Sequence, residues 1–161
     1  MDGFSVGQML ALLGAVLAAV LAGVGSAKGV GMAGEASAGL VSENPDLAGK
    51  CLVLQVLPGT QGIYGFLVAV LVVIKIDLLG SAGLAALTAA QGIQLFLGCL
   101  PIAFGGLASA IYQGRVACSG INMLATQPDS SGRAILMTVM VETYAVFALL
   151  VSVLLVWFTV V

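Results

Sequence analysis

The chain has 161 residues, of which 61% are hydrophobic and only 7% are charged, and its mean hydropathy is +1.20. Because an average soluble domain carries about 25% charged residues, this composition excludes an ordinary soluble protein and predicts an integral membrane protein. The net charge is −2 and no basic run is present, so nucleic acid is excluded as a partner.

Four long intervals without charged residues predict four transmembrane helices. The intervals cover residues 3–27, 51–74, 78–114 and 134–161, and Glu142 is the one charge within them. Each is longer than the stretch of about 20 helical residues that spans a bilayer. The chain is therefore predicted to be an all-α, multi-pass protein of the cell membrane, surrounded by lipid.

Two polar turns, each with a proline, join the first helix to the second and the third to the fourth, at residues 42–47 and 126–131. They predict two antiparallel hairpins, residues 1–79 and 80–161, with a short link around residues 77–83. The stretches before the turns contain no strong helix breaker. We therefore expect the helices to continue beyond the membrane surface.

Basic residues are concentrated near the two turns. They are Lys28, Lys50, Arg115 and Arg133, whereas Lys75 is the only basic residue near the link. Because lysine and arginine are retained on the cytoplasmic side of a membrane, we expect cytoplasmic turns and external termini.

An offset of 83 residues aligns the two halves of the sequence. The aligned pairs are Gly23 with Gly106, Ser26 with Ser109, Gly31 with Gly114, Pro45 with Pro128, Asp46 with Asp129, Lys50 with Arg133 and Thr60 with Thr143. Since the turns and their flanking bases share one register, the sequence indicates a duplicated two-helix hairpin. Glu142 aligns with Gly59, so only the second hairpin carries an intramembrane carboxylate.

Small residues recur at every fourth position of the first and third helices. The first series is Ala11, Ala15, Ala19, Gly23, Ala27 and Gly31, and the second is Gly106, Ala110, Gly114 and Cys118. Such series allow helix backbones to approach closely in lipid. They predict close packing either within this chain or in an inner layer made of many chains.

Polar side chains of the second, third and fourth helices are predicted to lie at one depth. Thr60 and Gln61 follow the proline of the first turn by fifteen and sixteen residues, and Gln113 and Glu142 lie fifteen and fourteen residues from the second. At about 1.5 Å per residue, all four lie about 21 to 24 Å from their turns. An ionisable group at that depth costs at least about 2.5 kcal/mol, so Glu142 requires hydrogen-bond partners, a cation or a proton.

The residue types near Glu142 favour a monovalent cation. Pro58 has no N–H, so the Leu54 carbonyl loses its helical donor and backbone oxygen becomes available near Thr60 and Gln61. Neutral oxygens with one carboxylate suit a hard cation such as Na⁺, and the absence of histidine argues against zinc. A proton would require only the carboxylate. We therefore prefer Na⁺ and keep H⁺ as the alternative.

Four segments carry a family resemblance: residues 23–36, 57–66, 100–117 and 140–145, with the motifs GVGSAKGVGMAGEA, LPGTQGIYGF, LPIAFGGLASAIYQGRVA and MVETYA. The chain resembles the membrane rotor proteolipids of V-type ATPases, the K-type or c-type subunits, in their duplicated four-helix form. The resemblance is greatest to the bacterial sodium-translocating branch.

The resemblance implies a set of ion ligands. They are the Leu57 carbonyl, Thr60, Gln61, Gln113 and Glu142, and Tyr64 is expected to donate a hydrogen bond to the glutamate. Leu57 is assigned by the resemblance alone, since the proline argument frees the carbonyl of Leu54.

The resemblance also implies partners for the chain. Identical subunits would form a ring with the first and third helices inside, and the ring would turn against a stator membrane subunit that carries an essential arginine. A central-stalk subunit would join it to a separate catalytic head, so this chain would have no catalytic site and no organic cofactor. Glu35 and Arg115 could contact that stalk or could lie on solvated helix faces.

Three other functions remain open. A rotor protein of the same kind could carry protons, or a small secondary transporter could use Glu142 for drug/proton exchange. A purely structural membrane protein is a third possibility, but it leaves the shared depth of Gln61, Gln113 and Glu142 unexplained.

Overall fold

In a computed structural model, which describes residues 4–78 and 86–161, long helices account for most of the chain. They are α1 (Val6–Glu43), α2 (Ala48–Val56), α3 (Thr60–Lys75), α4 (Ala89–Thr126) and α5 (Ser131–Phe158). Three short 3₁₀ turns lie between them, at Pro45–Leu47, Leu57–Gly59 and Pro128–Ser130. The described residues contain no strand.

Within the described part of the chain, four helical spans are long and apolar enough to cross a membrane: Val6–Glu43, Pro45–Lys75, Ala89–Thr126 and Pro128–Phe158. The second span combines α2, the Leu57–Gly59 turn and α3. The prediction of an all-α protein with four transmembrane helices is confirmed. The predicted boundary between residues 79 and 80 and most of the predicted link lie outside the described residues.

The two halves begin and end their helices at equivalent positions. Helices α1 and α4 both have 38 residues and begin 83 positions apart. Each begins with a capping box, Ser5 with Gln8 and Thr88 with Gln91, in which the cap hydroxyl accepts from the glutamine backbone N–H and the glutamine side chain accepts from the cap N–H. The two hairpins therefore start, turn and end in the same register.

Helices α1 and α4 are the centre of the bundle and run parallel to each other, because small residues let their backbones meet. A Cβ atom on Gly25 would lie 2.7 Å from the Cα of Leu107, and a Cβ atom on Gly114 would lie 2.5 Å from the Cα of Gly29. Any larger side chain at these positions would separate the two helices. Helix α3 packs against α1, and α5 packs against α4.

The small residues of α1 and α4 do not all face the same neighbour. Gly106 and Gly114 of α4 contact α1 within the chain, whereas nothing in the described structure lies within 4 Å of a Cβ atom built on Gly23 or Gly31. The α4 series therefore serves packing inside one chain. The later part of the α1 series remains open at the surface.

Contacts between the hairpins define the two ends of the bundle. Lys50 Nζ in the first hairpin donates to the carbonyl of Pro128 at 2.7 Å, so both proline turns lie at one end. Lys75 Nζ donates to the carbonyl of Trp157 at 2.7 Å at the other end. A helix of 38 residues is about 57 Å long, which exceeds the about 30 Å of a bilayer core, so α1 and α4 are long enough to project from it.

Candidate ion-binding site

The second transmembrane span changes its hydrogen bonding at Pro58, where α2 ends and α3 begins. Because Leu57–Gly59 forms a 3₁₀ turn, the backbone N–H of Thr60 donates to the Leu57 carbonyl. The Thr60 hydroxyl donates to the same oxygen at 3.1 Å and lies 3.4 Å from Gln61 Oε1. The Leu57 carbonyl oxygen, Thr60 Oγ1 and Gln61 Oε1 therefore lie close to one another at this turn.

The glutamines connect this turn to the second hairpin. Gln61 Nε2 donates to Gln113 Oε1 at 2.5 Å, and Gln113 Nε2 donates to Glu142 Oε2 at 3.4 Å. Both glutamine side chains are fully buried, with 0% of their surface exposed. A buried amide without partners costs about 1 to 3 kcal/mol, so this pairing holds the two hairpins in register.

Glu142 is held on both of its carboxylate oxygens. The Tyr64 hydroxyl donates to Oε1 at 2.6 Å, and Gln113 donates to Oε2. The structure thus brings all six predicted residues into one continuous network that runs from Leu57 through Thr60, Gln61, Gln113 and Glu142 to Tyr64. Their shared depth, counted from the two turns, explains why they meet.

Two polar residues of this network are not among those predicted from the sequence. The Ser109 hydroxyl accepts from Gln61 Nε2 at 3.3 Å and donates to the Val141 carbonyl at 3.0 Å. Gln113 Nε2 also donates to the carbonyl of Thr138, at 3.2 Å. Ser109 precedes Gln113 by four residues and Thr138 precedes Glu142 by four, so the i+4 rule could have placed each on the same helix face.

The equivalent place in the first hairpin has a different composition. Ser26, which aligns with Ser109, accepts the backbone N–H of Gly62 at 2.8 Å. Gly59 and Val30 stand where the second hairpin has Glu142 and Gln113. The first hairpin therefore provides no carboxylate at this depth, and the chain presents one such acidic group for two hairpins.

A family comparison agrees with this duplicated architecture. The family model for the C subunit of ATP synthase matches the chain twice, over residues 13–72 and 96–155. The chain belongs to this ATP synthase C-subunit family. The two matches begin and end 83 residues apart, so the duplication expected from the sequence is confirmed.

Individual members of the family align along most of this chain. The chain is 46% identical over 150 residues to the V-type sodium ATPase subunit K of Enterococcus hirae, a match that spans 93% of this chain and 92% of that protein. It is 37% identical over 147 residues to the A-type ATP synthase subunit K of Methanocaldococcus jannaschii, covering 91% of this chain and 61% of that protein. The 16 kDa proteolipid of the V-type proton ATPase of Nephrops norvegicus is 29% identical over 142 residues, 88% of this chain and 86% of its own.

These relatives are K subunits or a proteolipid subunit c of V-type ATPases and of an A-type ATP synthase. The predicted resemblance to V-type proteolipids is therefore confirmed, and so is the prediction of a membrane subunit without a catalytic site of its own.

Proposed function

We propose that the chain is the ion-binding subunit of the membrane rotor ring of a V-type ATPase and that it carries Na⁺ across the membrane. The observation that carries this proposal is the network around Glu142, in which one carboxylate meets the Gln61–Gln113 pair and the Tyr64 hydroxyl. ATP hydrolysis or synthesis would take place in a separate head, and rotation would couple it to ion movement.

The donor set around the 3₁₀ turn fits a hard cation. The Thr60 hydroxyl oxygen lies 3.1 Å from the Leu57 carbonyl oxygen and 3.4 Å from Gln61 Oε1. Neighbouring ligands of one cation with bonds of about 2.4 Å have such spacing. Glu142 supplies the single negative charge that balances a monovalent ion. Gln113 would bind through its amide oxygen, which requires its amide to turn from the orientation in which Nε2 faces Glu142.

Sodium accounts for more of the site than a proton does. A proton needs only Glu142 with a hydrogen-bond donor such as Tyr64, whereas Thr60, Gln61 and the Leu57 carbonyl supply further oxygens that a metal ion uses. The E. hirae relative, which matches nearly the whole chain, is named as a sodium ATPase subunit. The proton-ATPase relative of N. norvegicus has lower identity.

The ring requires partners that the single chain implies only indirectly. Identical copies would surround a common axis, a stator membrane subunit would present an arginine to Glu142, and a central-stalk subunit would touch the end with the proline turns. The bases near those turns support a cytoplasmic position for that end and external termini. The outer helices would face lipid.

Carbodiimide labelling of Glu142 tests the sodium assignment, because the reagent modifies the protonated carboxyl group. With the assembled protein in membranes, we expect labelling to increase as pH falls and to decrease as Na⁺ rises. Glu142→Gln should abolish both labelling and ion translocation while the ring stays assembled. If Na⁺ gives no protection at neutral or alkaline pH, the sodium assignment is wrong and a proton rotor takes its place.

A matched pair of glutamine variants separates the site from general effects on α4. Gln113→Leu removes a buried amide of the site and should weaken Na⁺ protection by about 1 to 3 kcal/mol, whereas Gln94→Leu changes an exposed position of the same helix and should leave protection unchanged. The pH dependence should persist in both variants. A drug/proton exchanger would instead show drug-dependent protection of Glu142 in the unmodified protein.

A further inference from the structure

Gln61 brings a side-chain amide to the proposed ion site, and only the oxygen of an amide can bind a cation. This oxygen, Oε1, lies 3.4 Å from the Thr60 hydroxyl, which in turn lies 3.1 Å from the Leu57 carbonyl oxygen. The nitrogen, Nε2, has other partners, Gln113 Oε1 and the Ser109 hydroxyl. A rotation of the amide by a half turn would place N–H groups among the oxygens and exclude a cation.

A backbone carbonyl of α5 determines the direction of the hydrogen bonds at Ser109. The Ser109 hydroxyl lies 3.0 Å from the carbonyl oxygen of Val141, and a carbonyl oxygen can only accept a hydrogen bond. Ser109 therefore donates its single hydroxyl proton to Val141. The Ser109 oxygen then offers Gln61 only lone pairs, so the group of Gln61 that faces it at 3.3 Å has to be the NH₂ group.

Burial makes this direction specific. The side chain of Gln61 is 0% exposed, and Ser109 is 5% exposed. A rotated Gln61 amide would place its oxygen against the Ser109 oxygen with no proton between them. Because a buried polar group without a partner is destabilising, the Val141–Ser109 pair favours the orientation in which Gln61 Oε1 faces Thr60.

Ser109 is the acceptor that would still hold Gln61 after an ion binds. The other acceptor of Gln61 Nε2 is Gln113 Oε1, at 2.5 Å. The proposed function requires Gln113 to turn this oxygen towards the ion, so Gln61 then loses that bond. Of the two acceptors that the structure describes, Ser109 remains, and its own partner is a backbone oxygen outside the ligand set.

The aligned serine of the first hairpin has a different partner. Ser26 accepts the backbone N–H of Gly62 at 2.8 Å, whereas Ser109 accepts a side-chain amide. The helix itself fixes the direction of a backbone N–H, so Ser26 has no amide to orient. The series of carbonyl, serine and amide thus occurs in the half of the duplication that carries Glu142.

We propose that Ser109 is a positioning residue of the ion site. By donating to Val141 and accepting from Gln61, it fixes the orientation of the Gln61 amide and keeps Oε1 directed towards the cation, but it does not bind the ion itself. The proposal rests on the proposed sodium function. Because a proton on Glu142 needs no oxygen from Gln61, Ser109 acts on sodium binding and not on protonation.

Carbodiimide labelling of the assembled protein in membranes tests this role. Ser109→Ala should raise the Na⁺ concentration that half-protects Glu142 about ten-fold, since the Gln61 amide is no longer held in one orientation. The pH of half-maximal labelling without Na⁺ should keep its wild-type value.

Ser152→Ala is the matched control. The Ser152 hydroxyl is also buried between α4 and α5, where it accepts the backbone N–H of Ile102 at 3.0 Å. It lies ten residues from Glu142, or about 15 Å along α5. Ser152→Ala should therefore leave both the Na⁺ protection and the pH profile of Glu142 unchanged.

A double-mutant cycle separates the orientation of Gln61 from a general effect on packing. Gln61→Leu removes the amide, so adding Ser109→Ala to it should raise the half-protecting Na⁺ concentration by no more than about two-fold. A serine that only supports the fold would still bond Val141 in the Gln61→Leu variant. The effects of the two substitutions would then multiply.

The outcomes distinguish a wrong role for Ser109 from a wrong ion. Unchanged Na⁺ protection in Ser109→Ala, an equal loss in Ser152→Ala, or multiplied effects in the double variant overturns the positioning role while the sodium assignment stands. A shifted pH profile in Ser109→Ala also overturns it, because the serine would then act on the carboxylate. Absence of Na⁺ protection in the unmodified protein overturns both proposals.

Discussion

The two carboxylate oxygens of Glu142 have different partners, and the difference has a functional meaning. Tyr64 donates a short hydrogen bond of 2.6 Å to Oε1, whereas Gln113 donates a long one of 3.4 Å to Oε2. Hydrogen bonds to a charged group contribute about 1.5 to 3 kcal/mol, and the shorter bond carries more of that stabilisation. Tyr64 therefore holds the carboxylate more firmly than Gln113 does, and Oε2 is the oxygen that the proposed cation would bind.

Removal of the tyrosine hydroxyl should weaken ion binding without unfolding the protein. We expect Tyr64→Phe to raise the Na⁺ concentration that half-protects Glu142 from carbodiimide by about ten-fold or more, since a charge-assisted hydrogen bond is lost. Tyr112→Phe, which removes the hydroxyl of an exposed tyrosine of α4, is the control. Equal protection in Tyr64→Phe and wild type would show that the hydroxyl does not position Glu142 for the ion.

The sequence predicts the site residues whose depth can be counted from the two proline turns. It does not predict every hydrogen-bond partner of those residues. Thr60, Gln61, Gln113 and Glu142 follow from their distances to the two proline turns. The carbonyls of Thr138 and Val141 could not be predicted as partners, because no proline marks them as Pro58 marks the second span, and each accepts from a side chain of the neighbouring helix α4.

At the scale of the helices, the break at Pro58 positions the Leu57 carbonyl. A proline has no N–H, and the chain responds with a 3₁₀ turn in which Thr60 bonds Leu57. The Leu57 carbonyl thereby accepts from both the backbone N–H and the side-chain hydroxyl of Thr60.

Restoring the missing N–H should therefore disturb the site. We expect Pro58→Ala to favour a continuous α-helix through residues 57–59, in which the Leu57 carbonyl accepts from the backbone N–H of Gln61 instead of that of Thr60, and to weaken Na⁺ protection of Glu142 about five-fold, equivalent to about 1 kcal/mol. Pro101→Ala, which changes a proline inside α4, is the matched control. Comparable loss in both variants would mean that proline removal acts on the fold and not on the carbonyl.

Glycines on the two faces of the central helices should respond differently to enlargement. A Cβ atom on Gly106 would lie 2.9 Å from Ala22 Cβ, while Gly23 has open space. Gly106→Leu should therefore destabilise the single chain by about 1 to 3 kcal/mol through overpacking, whereas Gly23→Leu should leave the chain folded and impair assembly. Thermal unfolding in detergent measures the stability of the single chain, and native mass spectrometry measures ring assembly. The two measurements together separate the two effects. Loss of folding in Gly23→Leu would contradict the assignment of that face.

Helix number was predictable from the charges, and the length of α1 and α4 followed from the absence of strong helix breakers before the two proline turns. The first uncharged interval ends at residue 27 and α1 continues to Glu43, because Lys28 and Glu35 are good helix formers and nothing stops the helix before Asn44 and Pro45. Small-residue spacing likewise predicted close packing. It could not tell the α1 face that contacts α4 from the one that stays open, since both faces present small residues.

For the whole molecule, the contact between Lys50 and the Pro128 carbonyl places both turns at one end. Lys50 is one of the basic residues that support the proposed cytoplasmic position of the turns. Its side chain also links the two hairpins. If that end is cytoplasmic, as proposed, both turns and the adjoining ends of α1 and α4 face the cytoplasm.

Accessibility of the turns tests this orientation. Ser42→Cys and Asp129→Cys, both at exposed positions in a background without the native thiols, should react with a membrane-impermeant maleimide in inverted vesicles and not in right-side-out ones. A cysteine at Val160, at the other end, should give the opposite pattern and serves as the control. Labelling of both turns from outside would reverse the topology.

Gly59 occupies the position at which the duplication would place a second glutamate. The chain therefore carries one such carboxylate for two hairpins, and this ratio determines how many ions a rotor ring carries per revolution. In a ring of given circumference, one carboxylate for every two hairpins halves the number of ions that cross per revolution. If each revolution consumes a fixed number of ATP molecules, every ion then receives twice the free energy. A rotor ring with this ratio moves fewer ions per revolution but can transport each ion against a steeper electrochemical gradient.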